Sequence, residues 1–244
     1  MTPQRPLGIL PTVKRLPFAL WVLILGLAPP LVARAQTNAE QYVQNGNAQM
    51  NRGDRAGAIA SYTRAIELDP ANARAWCWRG IAKCASQDWR GAMADLDRAI
   101  GLDPKYGLAY HNRANAKMNQ ADWTGAIADF DRVIELNPKS ASAYHNRNFA
   151  RAGLGDRAGA LADLDRAVEL DPKNVVYCSH RAEAKRFSGD LAGAIADYDR
   201  AISLEPANAA LYQRRGEAKR ANGDVNGAAE DLKRSEFFRG GPRP

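Results

Sequence analysis

Apolar and small residues return along this chain on a helical rhythm that itself repeats every 34 residues, without insertion or deletion. Pro70, Pro104, Pro138, Pro172 and Pro206 mark the period, and the next point on the same grid is Gly240. With the proline at position 32, the units are 39–72, 73–106, 107–140, 141–174, 175–208 and 209–242. Each unit carries apolar or small residues at positions 4, 8 and 10, and again at 20, 21, 24, 27 and 28, apart from Asn148 and Glu236. Steps of three and four put those residues on one face of a helix, whereas a strand would alternate. Every unit is therefore predicted to hold two amphipathic helices. Position 20 is alanine throughout, from Ala58 to Ala228, and position 8 is small except at Asn148, so the two helices are expected to approach closely.

The punctuation supports the same division. Position 16 is aspartate in all six units (Asp54, Asp88, Asp122, Asp156, Asp190, Asp224), placed to cap the second helix. Glycine precedes it in four units, where the first helix can end in a left-handed residue. Proline at position 32 ends the second helix by restricting the residue before it. One pair cannot bury its apolar face alone, so neighbouring pairs must stack.

This pattern resembles the tetratricopeptide repeat and covers 39–242. The resemblance implies an all-α, right-handed superhelical solenoid of six antiparallel helix-turn-helix repeats. It also implies a non-catalytic scaffold whose first helices line a concave face that binds a peptide or protein segment. Two features depart from the family pattern. Position 19, where glutamate would complete a capping box, is glycine in every unit (Gly57 to Gly227). Each should cost roughly 0.5–1 kcal/mol of helix propensity, and closer helix packing is the expected compensation. Positions 7 and 11 are arginine and Lys/Arg in units two to six, which also carry aspartate at 23, while units two to five carry it at 25. Unit one lacks the set, having Asn45, Gln49, Ser61 and Thr63. Charges that come and go together predict an ion-pair ladder between helices, each partly exposed pair contributing about 0–1 kcal/mol.

The family places positions 2, 5, 6, 9, 12 and 13 on the concave face. Here these supply Asn47 in unit one and Trp78 in unit two, then His111, Asn112, Asn115 and Met118 in unit three. Unit four supplies His145, Asn146 and Phe149, unit five His180, and unit six Arg214. Amides at positions 6 and 9 suit the backbone of an extended peptide, and His111, Asn115, Asn146 and His180 step along three successive units. The family's chaperone-tail clamp needs lysine at position 5, which no unit has. Glu183/Arg186 and Glu217/Arg220 are i,i+3 pairs expected to satisfy each other. The histidines are expected to stand a helix spacing of roughly 8–10 Å apart, too far to share a metal.

At the C-terminus, Phe238 falls on position 30, leucine in the other units, and reads as core. Phe237 falls on a polar position and is expected to fold back on the last pair, the alternative being self-association through an uncapped end.

Charge alters the picture little. Four basic residues and no acid lie in the first 35 positions, so without that stretch the net charge drops from +7 to +3. That is no footprint for nucleic acid. Lys14 and Arg15, a 13-residue apolar run at 16–28 and Ala33-Arg34-Ala35 read as a secretory signal cleaved after Ala35. The run is shorter than the roughly 20 residues of a membrane span, the competing reading being an uncleaved anchor. The expected product is an exported protein of bacterial type, periplasmic or secreted, with 36–38 as linker and 243–244 as tail. Cys77, Cys84 and Cys178 are too scattered to pair and are expected to be free. Phosphate loops, nucleophile elbows and His-Glu-x-x-His are missing, so no catalytic residue, metal or cofactor is expected. An accessory subunit of an envelope complex is the remaining alternative function.

Overall fold

The computed structural model describes residues 38–240. Among them are twelve helices and no strand. The first helices of the six units are α1 (38–51), α3 (Ala73–Ala85), α5 (Gly107–Asn119), α7 (Ala141–Gly153), α9 (Val175–Ser188) and α11 (Ala209–Ala221). The second helices are α2 (Arg55–Leu68), α4 (Trp89–Leu102), α6 (Trp123–Leu136), α8 (Arg157–Leu170), α10 (Leu191–Leu204) and α12 (Val225–Gly240). From α3 onward each first helix packs on its own second helix, α1 bonds α2 through Asn47–Tyr62 and Gln49–Ser61, and each second helix packs on the next first helix, giving an all-α superhelical solenoid. Direct contacts of α3 with α5 and of α5 with α7 bring the first helices together on one face. The expected signal, the 36–38 linker start and the 243–244 tail lie outside the described residues.

The close approach rests on the small residues at position 8. A Cβ on Gly46 would come within 2.5 Å of the Tyr62 ring, and one on Gly80 within 2.8 Å of Leu96. Tyr62, Leu96, Phe130, Leu164 and Tyr198 fill the resulting core at position 24, each buried. Position-4 rings close the turns between units with their polar ends. Trp76 Nε1 donates to the Pro70 carbonyl at 3.0 Å and the Tyr212 hydroxyl to that of Pro206 at 3.0 Å.

All six aspartates cap as expected, each accepting the N–H of its position-19 glycine at 2.8–2.9 Å. The expected reason for that glycine is corrected. A Cβ on Gly125 would meet Asp122 Oδ2 at 2.2 Å, and no other helix supplies any of its nearest atoms. In units two to six the capping carboxylate itself occupies the space, so glycine serves the cap rather than helix packing; at Gly57, Gln49 of α1 also comes within 2.7 Å. Four turns use glycine at φ 80–90°, whereas Gln87 and Ala121 take φ 64° and 59° without it.

The C-terminal end also differs from expectation. Phe238 packs on the last core, its ring 5.4 Å from that of Tyr212. Phe237 does not fold back: α12 continues through it to Gly240 and leaves it 70% exposed. A helical position facing away from α11 cannot reach the core unless the helix ends earlier.

Candidate functional site

The charged ladder frames the first-helix face, and its geometry is uniform. Arg113 donates through Nε and Nη2 to Asp129 of its own unit at 2.9 and 2.5 Å, and through Nη1 to Asp97 of the preceding unit at 2.7 Å. Arg147, Arg181 and Arg215 repeat the arrangement with Asp163/Asp131, Asp197/Asp165 and Asp231/Asp199. Arg79 meets Asp95, then Thr63 Oγ1 where unit one has no acid. The position-23 carboxylates are more buried than expected, at 2–5% exposure, and a position-11 cation such as Lys117 stands 2.8 Å away. Every arginine thus ties one unit to the one before it. Unit one substitutes a neutral bond, Ser61 hydroxyl to Gln49 at 2.6 Å.

On the open side of α5, α7 and α9 the histidines meet. His145 Nε2 and His180 Nδ1 lie 2.7 Å apart, with the rings stacked at 5.0 Å. Asn146 Nδ2 lies 3.0 Å from His111 Nε2, and His145 Nδ1 lies 3.2 Å from Asn146 Oδ1. The expected separation of 8–10 Å is therefore corrected. Residues one period apart do stand a helix spacing away, but side chains lean across and meet at an offset of 35. The result is one polar chain, His111–Asn146–His145–His180, across three units. Phe149, 44% exposed, sets its edge against both His145 and His180, at 5.2 and 5.5 Å. Tyr177, 4.6 Å from His145, completes the cluster at position 3, a place that the family's concave positions do not include.

Burial, reinforced by His180, pushes the His145 pKa down to about 4, against the hydrogen bond that His145 Nδ1–H donates to Asn146 Oδ1. Burial lowers His180 too, helped by Arg214, and burial alone lowers His111. The chain is thus neutral near pH 7 and presents imidazole and amide groups rather than charge. Among the described residues, no three histidine, cysteine, aspartate or glutamate side chains converge on a common point. The three cysteines are free.

Other candidates fall elsewhere. Asn115 carries a carboxamide with no partner among the described residues, one turn beyond His111. Asn112 donates to its own helix at Leu108, and Asn47 accepts from the Tyr62 hydroxyl at 2.7 Å. Trp78 and Met118 pack against the cores of the first and third units. Arg214 donates to Ser179 at 3.3 Å beside an open polar pocket of about 460 Å³ that also includes His180, Glu183 and Gln213. Glu183 pairs with Arg186 at 2.6 Å as expected. Glu217 does not pair with Arg220; Gln213 reaches it first, at 3.0 Å.

Family profiles for the TPR repeat match residues 46–84, and those for the tetratricopeptide repeat match 111–175 and 176–208. No curated protein matches the chain. Among solved structures, PilF of Pseudomonas aeruginosa is 17% identical, with 84% of this chain and 94% of that one covered at a TM-score of 0.73. PilW, described as a type IV pilus biogenesis factor, is 21% identical over 79% of this chain and 90% of its own, at 0.70. YrrB, a TPR protein with an unusual peptide-binding site, is 19% identical over 74% and 93%, at 0.62. At such identities the likeness is one of fold.

Proposed function

The chain belongs to the tetratricopeptide repeat family, a fold that serves protein–protein interaction and not catalysis, and from that premise we propose that its first-helix face docks an extended peptide or protein segment. The observation that carries this reading is the side-chain belt of His111, Asn146, His145 and His180, linked from unit to unit, with Phe149 exposed beside it. Linked side chains have already lost rotamer freedom, so a ligand ordering against them meets a smaller entropy cost. Neutral imidazoles and amides offer both donors and acceptors to a peptide backbone, the Asn115 carboxamide has no partner among the described residues, and Phe149 gives an apolar contact for a side chain. Removing a buried polar contact from a groove of this kind should weaken binding by about tenfold.

The test is a peptide-array screen with the 36–244 protein, repeated with His111→Ala/Asn146→Ala. Sequences retained by the parent and lost by the double variant are expected; identical profiles would move the binding face elsewhere. We propose further that 1–35 is an export signal, on the sequence pattern alone, and N-terminal sequencing of the mature protein should begin at Gln36. A second reading, self-association through the last unit, is favoured by Phe237 at 70% and Val225 at 61% exposure. Light scattering that shows a dimer lost on Phe237→Glu would establish it.

A further inference from the structure

Between the fourth and fifth units lies a half-open cavity of about 690 Å³. It is separate from the histidine belt. Asn148, Ala160 and Leu164, at 6%, 6% and 2% exposure, lie deepest, and Phe187, 71% exposed, stands at the rim. Ala152 and Ala184 complete the wall. The volume falls within the roughly 300–1,000 Å³ of ligand sites, and such sites are mostly apolar with a few placed polar groups.

The repeat grid explains why this junction has a cavity. One unit earlier, the positions of Ala152, Arg157 and Leu164 are Met118, Trp123 and Phe130. Met118 and Trp123 pack there on Ala114, Ala126, Phe130 and Ala150. Gly153 makes room for the indole, since a Cβ on it would lie 2.6 Å from Trp123 Cδ2. At the next junction an exposed arginine replaces the tryptophan, alanine replaces the methionine, and Phe187 replaces the glycine while turning outward. The protein thus fills this kind of space with an indole ring at one junction and keeps it as a cavity at the next.

A polar observation points the same way independently. Position 8 is glycine or alanine in the other five units and asparagine only here. Asn148 Nδ2 donates to the His145 carbonyl, but its Oδ1 accepts from no described residue. Ser235 Oγ is the one fully enclosed polar side-chain atom without a partner among the described residues, so Asn148 Oδ1 stays accessible from the cavity, and an apolar cavity presenting one free acceptor favours a ligand with an apolar body and a single N–H.

We propose that this cavity receives the indole of a tryptophan carried on a partner polypeptide, its Nε1–H donating to Asn148 Oδ1 and its face meeting Leu164 and Phe187. The cavity is larger than one ring and open on one side, which leaves space for the chain that carries it. The inference rests on the reading of this chain as a scaffold for protein segments, but not on the histidine belt.

Titration of the full chain, followed by methyl NMR, tests it with Gly-Gly-Trp-Gly-Gly, the same peptide with leucine, and free indole. Shifts of the Ala152, Ala160 and Leu164 methyls are expected with the tryptophan peptide, bound about tenfold more tightly than the leucine peptide. Asn148→Ala should weaken it about tenfold, as loss of one hydrogen bond does. Ala152→Met/Arg157→Trp/Phe187→Gly, which moves the third unit's packing along one repeat, should abolish the shifts and raise Tm. If that variant does not fold, Asn148→Ala and Phe187→Ala decide. Phe187→Ala should weaken the peptide; tighter binding would make Phe187 the cavity's own occupant and overturn the proposal. Equal affinity for the leucine peptide, affinity of free indole matching the peptide, or unmoved methyls would also overturn it. Methyl shifts retained in His111→Ala/Asn146→Ala separate this site from the groove.

Discussion

Ser235 shows how tightly single positions are held by the repeat. It occupies position 27, alanine in units one, two, four and five, and is 2% exposed with a hydroxyl that finds no partner. A buried hydroxyl without a hydrogen bond costs about 1–3 kcal/mol, and alanine leaves only a small void. Ser235→Ala is therefore expected to stabilise the protein by about 1 kcal/mol in urea unfolding, while leaving the m-value unchanged. His145 makes the opposite kind of commitment. Its pKa of about 4 in the folded protein lies below the about 6.5 of an unfolded chain. The folded state therefore resists the proton. Its contribution is present above pH 6.5 and is lost as pH falls from about 6.5 to about 4. Thermal melts should show a decline in Tm over that window, shallower in His145→Gln; an unchanged slope would mean that the histidine is solvated in the folded state.

The elements were legible to different depths. Proline at 32, aspartate at 16 and alanine at 20 located all twelve helices, because caps and breakers act within a few residues of where they stand. What crosses between repeats was less visible. The pairing of Arg147 with Asp163 follows from two positions varying together, yet the second bond to Asp131 of the preceding unit needs the lean of the side chain across the junction. The same lean, an offset of 35, brought His145 onto His180 when helix spacing alone would keep them apart. The capping glycines were visible as an anomaly but not as a cause, since only coordinates place Asp122 Oδ2 where a Cβ would go. Burial then grades the ladder. Asp163 is 3% exposed and holds both Arg147 and Arg151, whereas Asp131 is 47% exposed and holds one. Asp163→Ala, which leaves two cations facing each other, is expected to cost about 3 kcal/mol. Asp131→Ala should cost under about 1 kcal/mol and respond to salt. Comparable losses from the two, measured by urea unfolding at low and high salt, would show that the ladder works as surface electrostatics only.

Across the molecule, a solenoid is only as cooperative as its junctions, because each unit touches its neighbours and nothing further. Five junctions carry an arginine bridging to the preceding unit, but one differs in its packing. Between α8 and α9 the contact is the sparsest of the five, and the 690 Å³ cavity adjoins it. The ion pair Arg181–Asp165 and the His145–His180 contact still cross there, but the partner aspartate is 46% exposed, so screening limits what the ion pair adds, and the histidines meet on the open face. Buried apolar area is the larger coupling in such a stack. The weakest coupling should therefore lie between units four and five, leaving units one to four and units five and six as separable cooperative blocks. Native-state hydrogen exchange is expected to show the amides of α9–α12 opening together at a lower free energy than those of α3–α6. Ala152→Met/Arg157→Trp/Phe187→Gly, by replacing the cavity with the packing of the preceding junction, should merge the two classes into one. A single opening free energy in the parent protein would show that the ladder and the His145–His180 contact transmit cooperativity without the packing. An occupied cavity would have the same effect as the variant. A ring seated against Leu164 and Phe187 touches both blocks, so a bound segment would stiffen the solenoid at the junction where it is weakest.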